Sequence, residues 1–189
     1  MYLFFDTETT GLPLDWKAPV TDLANWPRVI QLAFLLHDER GNHLDGGDFI
    51  IKPDGFTIPA DASSIHGITT EKAERDGIPL PLVLEQFTAS LDRATYLVAH
   101  NIAFDEKVLG AEYLRHGLSN PLPARRGICT MERSVDYCAL PGRRGYKWPR
   151  LVELHRKLFG TGFEKAHDAA ADIRATARCF WELKRLRVI

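Results

Sequence analysis

The 189-residue sequence has only three cysteines, Cys129, Cys138 and Cys179, with no CxxC spacing and no paired Cys/His cluster. An odd number so placed gives no basis for a disulfide framework or a structural zinc site. Cys129 and Cys179 lie in apolar surroundings and read as small core residues rather than nucleophiles. No apolar run approaches the ~20 residues needed to span a bilayer, so no membrane partner is expected. The N-terminus also lacks the basic start, apolar stretch and small-residue cleavage site of a leader, which makes a soluble, cytoplasmic protein the expectation. There are no repeats or low-complexity tracts. With 45% hydrophobic and 26% charged residues, the chain can bury one sizeable core but not two, so residues 1–189 are read as a single domain.

The small net charge of −1 conceals an uneven distribution. Residues 1–120 carry 9 Lys+Arg against 18 Asp+Glu, whereas residues 121–189 carry 15 against 7. An acidic, metal-binding side opposed to a basic side suits an enzyme that handles phosphates. Two ordinary solvated faces would give the same count.

The most informative stretch is Phe4-Phe5-Asp6-Thr7-Glu8-Thr9-Thr10-Gly11. Tyr2 to Phe5 read as a buried strand, and two carboxylates follow one residue apart. Strand side chains alternate with a period of two, so Asp6 and Glu8 point to the same side. Nothing basic nearby in sequence neutralises them. Like charges at the end of a buried strand repel and are costly to desolvate, and a divalent cation with oxygen ligands removes that cost. The alternative is a strand running out into a polar loop with both acids solvated.

Along the chain, Leu12 to Pro27 reads as a long loop and Val29 to Leu36 as an apolar strand. Asp38 to Asn42 supply a turn, and Phe49 to Ile51 read as a third strand stopped by Pro53. A helix capped by Thr69 or Thr70 ends at Gly77, and a second starts near Pro81. Tyr96 to Ala99 form a fourth strand, followed by a helix from about Ile102 to His116, and Arg126 to Cys129 form a fifth strand. Helices marked by Leu151, Leu154 and Leu158, and from about Asp168 to Leu186, complete the chain. Three strands followed by alternating helices and strands predict an α/β fold, a mixed five-stranded sheet flanked by helices.

Two further carboxylates fall within local patterns. Asp105 lies in the first turn of the helix after His100-Asn101, where the helix dipole alone would favour it. Asp172 lies in His167-Asp168-Ala169-Ala170-Ala171-Asp172. His167 and Asp172, five apart, do not share a helix face, so His167 must sit in the loop before the helix and fold back over it. Asp168 and Asp172, four apart, do share a face, and geometry alone does not choose between them.

Taken together, Phe5-Asp6-Thr7-Glu8-Thr9-Thr10-Gly11, Ile65-His66-Gly67-Ile68-Thr69, His100-Asn101-Ile102-Ala103-Phe104-Asp105 and His167-Asp168-Ala169-Ala170-Ala171-Asp172 resemble, in order, the motifs of the DnaQ-like (DEDDh) 3′→5′ exonucleases. The likeness spans nearly the whole chain and is similar to the exonuclease domain of bacterial DNA polymerase III epsilon subunits. It implies an RNase H-like fold and a single exonuclease domain over residues 1–189. It implies that Asp6, Glu8, Asp105 and Asp172 are metal ligands and that His167 is the general base, the His-five-Asp spacing favouring Asp172 over Asp168. The cofactor implied is a pair of divalent cations, Mg²⁺ or Mn²⁺, one between Asp6, Glu8 and Asp172 and the other mainly through Asp6. Such a pair activates a water and stabilises the leaving 3′-oxygen, and a histidine poised near neutral pH takes the water's proton.

The resemblance also implies that Thr9, Gly11 and Leu12 meet the terminal nucleotide, with Leu12 wedged against the last base, and that His66 contacts it from the other side. By residue type alone His66 is a polar loop residue beside a Gly turn. Asn101 flanks the site as a candidate substrate contact, although it equally suits stabilising the strand–helix turn. The basic strip Arg143-Arg144-Gly145-Tyr146-Lys147-Trp148-Pro149-Arg150 could follow a single-stranded backbone and stack bases. It could equally be a solvated loop whose Trp148 packs into the core. The expected activity is removal of nucleotides from the 3′ end of single-stranded DNA, in replication or repair, with a DNA polymerase as candidate partner. An exoribonuclease, another RNase H-like nuclease, or a nucleic-acid-binding module that has lost catalysis are the alternatives.

Overall fold

The computed structural model describes residues 1–163 and 167–189. Strands β1 (Tyr2–Thr9), β2 (Val29–His37), β3 (His43–Ile50), β4 (Tyr96–Ala99) and β5 (Arg126–Cys129) form a mixed sheet in the order β3-β2-β1-β4-β5. β1 runs antiparallel to β2 and parallel to β4. Around the sheet lie helices α1 (Ala60–His66), α2 (Thr70–Asp76), α3 (Leu80–Arg93), α4 (Ile102–Arg115), α5 (Thr130–Arg133), α6 (Val135–Cys138), α7 (Leu151–Phe159) and α8 (Ala169–Arg185). A small hairpin, β6 (Pro141–Gly142) and β7 (Gly145–Tyr146), stands apart from the main sheet.

The alternation of β1 decides which layer each residue meets. Leu3 and Phe5 enter the core shared with α3 and α4, where the Phe5 and Phe87 rings lie 5.8 Å apart. Phe4 points the other way, onto α8, its ring 5.2 Å from Phe180. Alanines let α8 come close to the sheet, Ala169 and Ala170 packing with Ala33 of β2. Full burial of side chains of this size, at about 25 cal/mol per Å² of apolar surface, is what holds the two layers on the sheet.

The same strand creates the opening. β1 pairs with β4 only from Tyr2 to Phe4, whereas its pairing with β2 runs on to Thr9, with a register shift between Glu8 and Thr9. Past Phe5, β1 therefore has a partner on one edge only. The crevice lies at the carboxyl ends of the two parallel strands β1 and β4, where open α/β sheets bind ligands.

Several expectations shift in detail. The third strand starts at His43, not Phe49, and Ile51 makes only an isolated bridge to Ile78. Ala60 to His66, not read as an element from the sequence, form α1 behind Pro59. The basic strip contains β7 of the hairpin, and Trp148 is 63% exposed, so it does not pack into the core. The long loop from Leu12 to Pro27 is tied down: Arg115 donates to the Leu23 and Trp26 carbonyls (both 2.6 Å), and the Trp26 indole N–H donates to Pro19 O (3.0 Å). All three cysteines are buried and unpaired, and burial pushes the Cys179 thiol up to about 12, which rules it out as a nucleophile.

Candidate active site

Asp6 and Glu8 lie half-buried on the α8 side of β1, while Thr7 and Thr9 are buried on the opposite side. Thr7 reaches a carboxylate from that opposite layer. Its backbone N–H (3.0 Å) and its hydroxyl (2.7 Å) both donate to Asp105 Oδ1. Asp105, 3% exposed, sits in the first turn of α4, where the helix N-terminus favours an anion. Asn101, at the N-cap of α4, adopts left-handed backbone angles (φ 77°, ψ 44°) that turn the chain sharply out of β4. That conformation suits asparagine better than most residues.

Asp168 and Asp172 separate by what their side chains do. Asp168 caps α8, accepting from Ala171 N at 2.9 Å. Asp172 accepts from the His167 backbone N–H through Oδ2 at 3.2 Å, and its Oδ1 is buried without a hydrogen-bond partner among the described residues. Ligand atoms of Glu8, His167 and Asp172 all lie within 4.8 Å of one another. His167 is exposed and has φ +69°, a conformation that folds it back over the start of α8. Strained backbone of this kind clusters at functional sites. Residues 164–166, just before it in sequence, lie outside the described residues.

Among the described residues no Lys or Arg pairs with this cluster, and its electrostatics reflect the crowding. Burial pushes the Asp6 carboxyl well above the usual range, and Asp105, Asp172, Glu8 and Asp168 add repulsion. Glu8 is raised to about 8 by burial, then by Asp172 and Asp105. Asp105 is raised to about 7 by burial, even though its hydrogen bonds from Thr7 oppose the rise. Asp172 is raised to about 6 by burial, against the pull of His167. Several hard oxygen donors held close, with one carboxylate oxygen left without a partner among the described residues, fit a divalent cation.

The remaining candidates surround this cluster unevenly. His66 lies near His167 and the Thr9 carbonyl; its Nδ1 accepts from Ile68 N (3.1 Å), and burial lowers its pKa. Thr9 Oγ1 donates to Gly11 O at 2.7 Å and so closes the turn. Gly11 has φ +150°, and a Cβ there would meet open space, which leaves its backbone accessible. Leu12 is 71% exposed just past this turn. Asn101 does not line the carboxylate cleft but an adjoining one, beside Trp16 and Lys107.

Four further residues were not anticipated as part of the site. Thr7 holds Asp105 as described. Gln31, paired with Glu8 across the strands, donates to Asp48 (2.7 Å) and accepts from Ala169 N (3.3 Å), fastening β2 to the start of α8. His100 Nε2 lies 2.9 Å from Pro149 O and Nδ1 lies 3.0 Å from Thr130 Oγ1. Burial lowers its pKa to about 4, so the ring is neutral and donates from Nε2 to the carbonyl. Phe163 joins Asp6, His100, His167 and Asp172 in lining a cleft of about 340 Å³. Thr7, between two acids, and His100, at the head of the motif that ends in Asp105, were legible in sequence; Gln31 and Phe163 carry no local signal.

The chain's likeness to known proteins shows its family. The exonuclease model RNase_T matches residues 3–180. The uncharacterized exonuclease CP81 of Escherichia phage 186 is 32% identical over 181 residues, covering 92% of this chain and 83% of that protein. A PolC-type DNA polymerase III of Lactococcus lactis is 34% identical over 188 residues, covering 98% of this chain but 10% of the polymerase. The zinc-bound form of the E. coli ExoI–ssDNA complex superposes with a TM-score of 0.75 at 25% identity, covering 99% of this chain and 41% of that chain. The family match spans nearly the whole chain and the sheet is shared, so the chain belongs to the exonuclease family as a DnaQ-like 3′→5′ exonuclease, a hydrolase of nucleic acid.

Proposed function

We propose that residues 1–189 act as a single exonuclease domain that releases nucleoside monophosphates from the 3′ end of single-stranded DNA. Asp6, Glu8, Asp105 and Asp172 hold two divalent cations, Mg²⁺ or Mn²⁺, and His167 is the general base. The observation that carries this reading is the convergence of Glu8, His167 and Asp172 within 4.8 Å beside Asp6, with the Asp6 and Glu8 pKa values raised by burial and then by the neighbouring carboxylates. The cations supply a polarised water and offset the charge that grows on the departing 3′-oxygen.

The rest of the chemistry belongs to the chain. His167 takes the water's proton as the oxygen bonds to phosphorus, the P–O3′ bond breaks, and the released 3′-oxygen is protonated. His167 is exposed at the mouth, its backbone held by Asp172, and so can accept that proton and pass it to solvent. Thr9, Gly11 and Leu12 take the terminal nucleotide on one side and His66 on the other, with Asn101 at the flank. The relative solved as an ssDNA complex supports DNA as the substrate, and the PolC relatives support a polymerase partner and action in the cytoplasm on replicating or damaged DNA.

The test uses matched 3′-labelled DNA and RNA 20-mers with Mg²⁺, Mn²⁺ or EDTA. Expected are labelled mononucleotides from DNA, none in EDTA, and slower release from RNA. Asp172→Asn should lose at least about 100-fold in kcat, in line with loss of a metal ligand. Asp168→Asn, which keeps a helix-capping side chain, should stay within about tenfold of the parent. Equal loss in both variants overturns the ligand assignment, and hydrolysis that persists in EDTA overturns the metal mechanism.

A further inference from the structure

Beside the carboxylate cleft lies a second one, of about 440 Å³, that shares Met131 and Trp148 with it. Trp16 and Trp148 stand at this cleft, 51% and 63% exposed, although large aromatic side chains are costly to leave in water. Each is held from the backbone by α4 or its approach. Lys107 donates to the Trp16 carbonyl (3.0 Å) and the Ala18 carbonyl (3.3 Å), which ties down the loop that carries Trp16. His100 donates to the carbonyl of Pro149, next to Trp148, at 2.9 Å. Trp16 is also backed by Phe104, ring centroids 5.7 Å apart. These exposed rings are therefore presented on anchored loops, not left loose.

The charged residues that line this cleft are Lys107 and Glu132, one of each sign, so the two indole rings rather than net charge are its main feature. The Lys107 ammonium, besides its two carbonyl bonds, lies 4.9 Å from the Trp26 ring centroid, and Arg150, 3.5 Å from Glu153, is on the Trp148 side, lining the carboxylate cleft. We infer that the Trp16–Trp148 cleft stacks an unpaired nucleobase of the substrate strand, upstream of the scissile phosphodiester, and so makes strands better substrates than dinucleotides. This rests on the exonuclease reading above. Stacking accepts any base, because every base offers a π-face, so the cleft selects for single strands without selecting sequence. A paired base is already stacked within its duplex and is not free to enter.

Trp16→Ala is the informative variant, because Trp16 lines this cleft and not the one with the carboxylates. In the parent, KM for Mg²⁺-dependent hydrolysis should be roughly tenfold lower for dT8 than for dT2. Trp16→Ala should lose most of that advantage, with its dT8 KM rising towards the dT2 value. Trp16→Phe should retain it, and thermal melting should show that both variants fold. An unchanged dT8-to-dT2 ratio in Trp16→Ala overturns the proposal. If the parent cleaves neither oligomer, the exonuclease reading fails by itself. Quenching of tryptophan fluorescence by dT8 in Ca²⁺ then decides the cleft: roughly tenfold weaker binding by Trp16→Ala supports it, and equal affinity overturns it.

Discussion

At the scale of single residues, the site depends on groups that touch no substrate. Thr7 donates twice to one oxygen of Asp105, through its backbone N–H and its hydroxyl. Replacing Thr7 by Val keeps the shape and the backbone bond but removes the hydroxyl donor. A buried carboxylate that loses a donor becomes more reluctant to ionise, so Asp105 rises further above its present value of about 7. Mn²⁺ affinity measured by calorimetry at pH 7 should fall about tenfold, the usual cost of losing a residue that orients a ligand. The deficit should shrink as pH is raised past 8. A deficit equal at pH 7 and pH 9 would place the role of Thr7 in packing alone.

At the scale of elements, much was legible where residue type and period agreed. β2 is a nearly unbroken buried run, VIQLAFLLH, and Thr69 and Gly77 bound α2 as caps. β3 was misplaced because HLDGGDFI has little strand propensity of its own; it is an edge strand held by hydrogen bonds to β2. The four carboxylates stand in motifs visible in the sequence, but the partners of Gln31 and His100 lie 138 and 49 residues away, and no local pattern points to those contacts. The same holds for Glu112. Fully buried on α4, it accepts from Arg28 Nε at 2.8 Å and Val29 N at 3.0 Å and pairs with Arg115 at 3.1 Å. These bonds fasten the start of β2, and through Arg115 the long loop, to the helix that carries Asp105. Glu112→Ala should destabilise the protein by about 3–5 kcal/mol, the cost of breaking a buried pair and leaving cations unpaired. Chemical denaturation should register that loss, and Glu112→Gln should recover part of it. A change below about 1 kcal/mol would mean that water replaces the carboxylate.

At the scale of the whole molecule, the carboxylate cluster sets how stability responds to pH. Without metal, Asp172, Asp105 and Glu8 have folded-state values of about 6, 7 and 8, all above the usual value near 4 for the unfolded chain. Between pH 4 and pH 8 the folded protein therefore holds more protons than the unfolded one. Their contribution to stability is fully present below the unfolded values and is lost as pH rises through the folded ones. The metal-free protein should melt at least about 5 °C lower at pH 8.5 than at pH 5.5, given that ~1 kcal/mol moves the midpoint by ~2–4 °C in a chain of this size. Divalent cation and proton compete for the same oxygens, so added Mn²⁺ should raise the midpoint strongly at pH 8.5 and little at pH 5.5. Glu8→Gln removes one of the repelling charges and should melt higher than the parent at pH 8.5 in EDTA, while losing most of the gain from Mn²⁺. A midpoint that rises with pH in EDTA would mean that the carboxylates are not crowded as described. If these carboxylates hold the metal as proposed, the same linkage should make initial rates of 3′-end hydrolysis climb between pH 6 and pH 8, and a rate flat over that range would count against it.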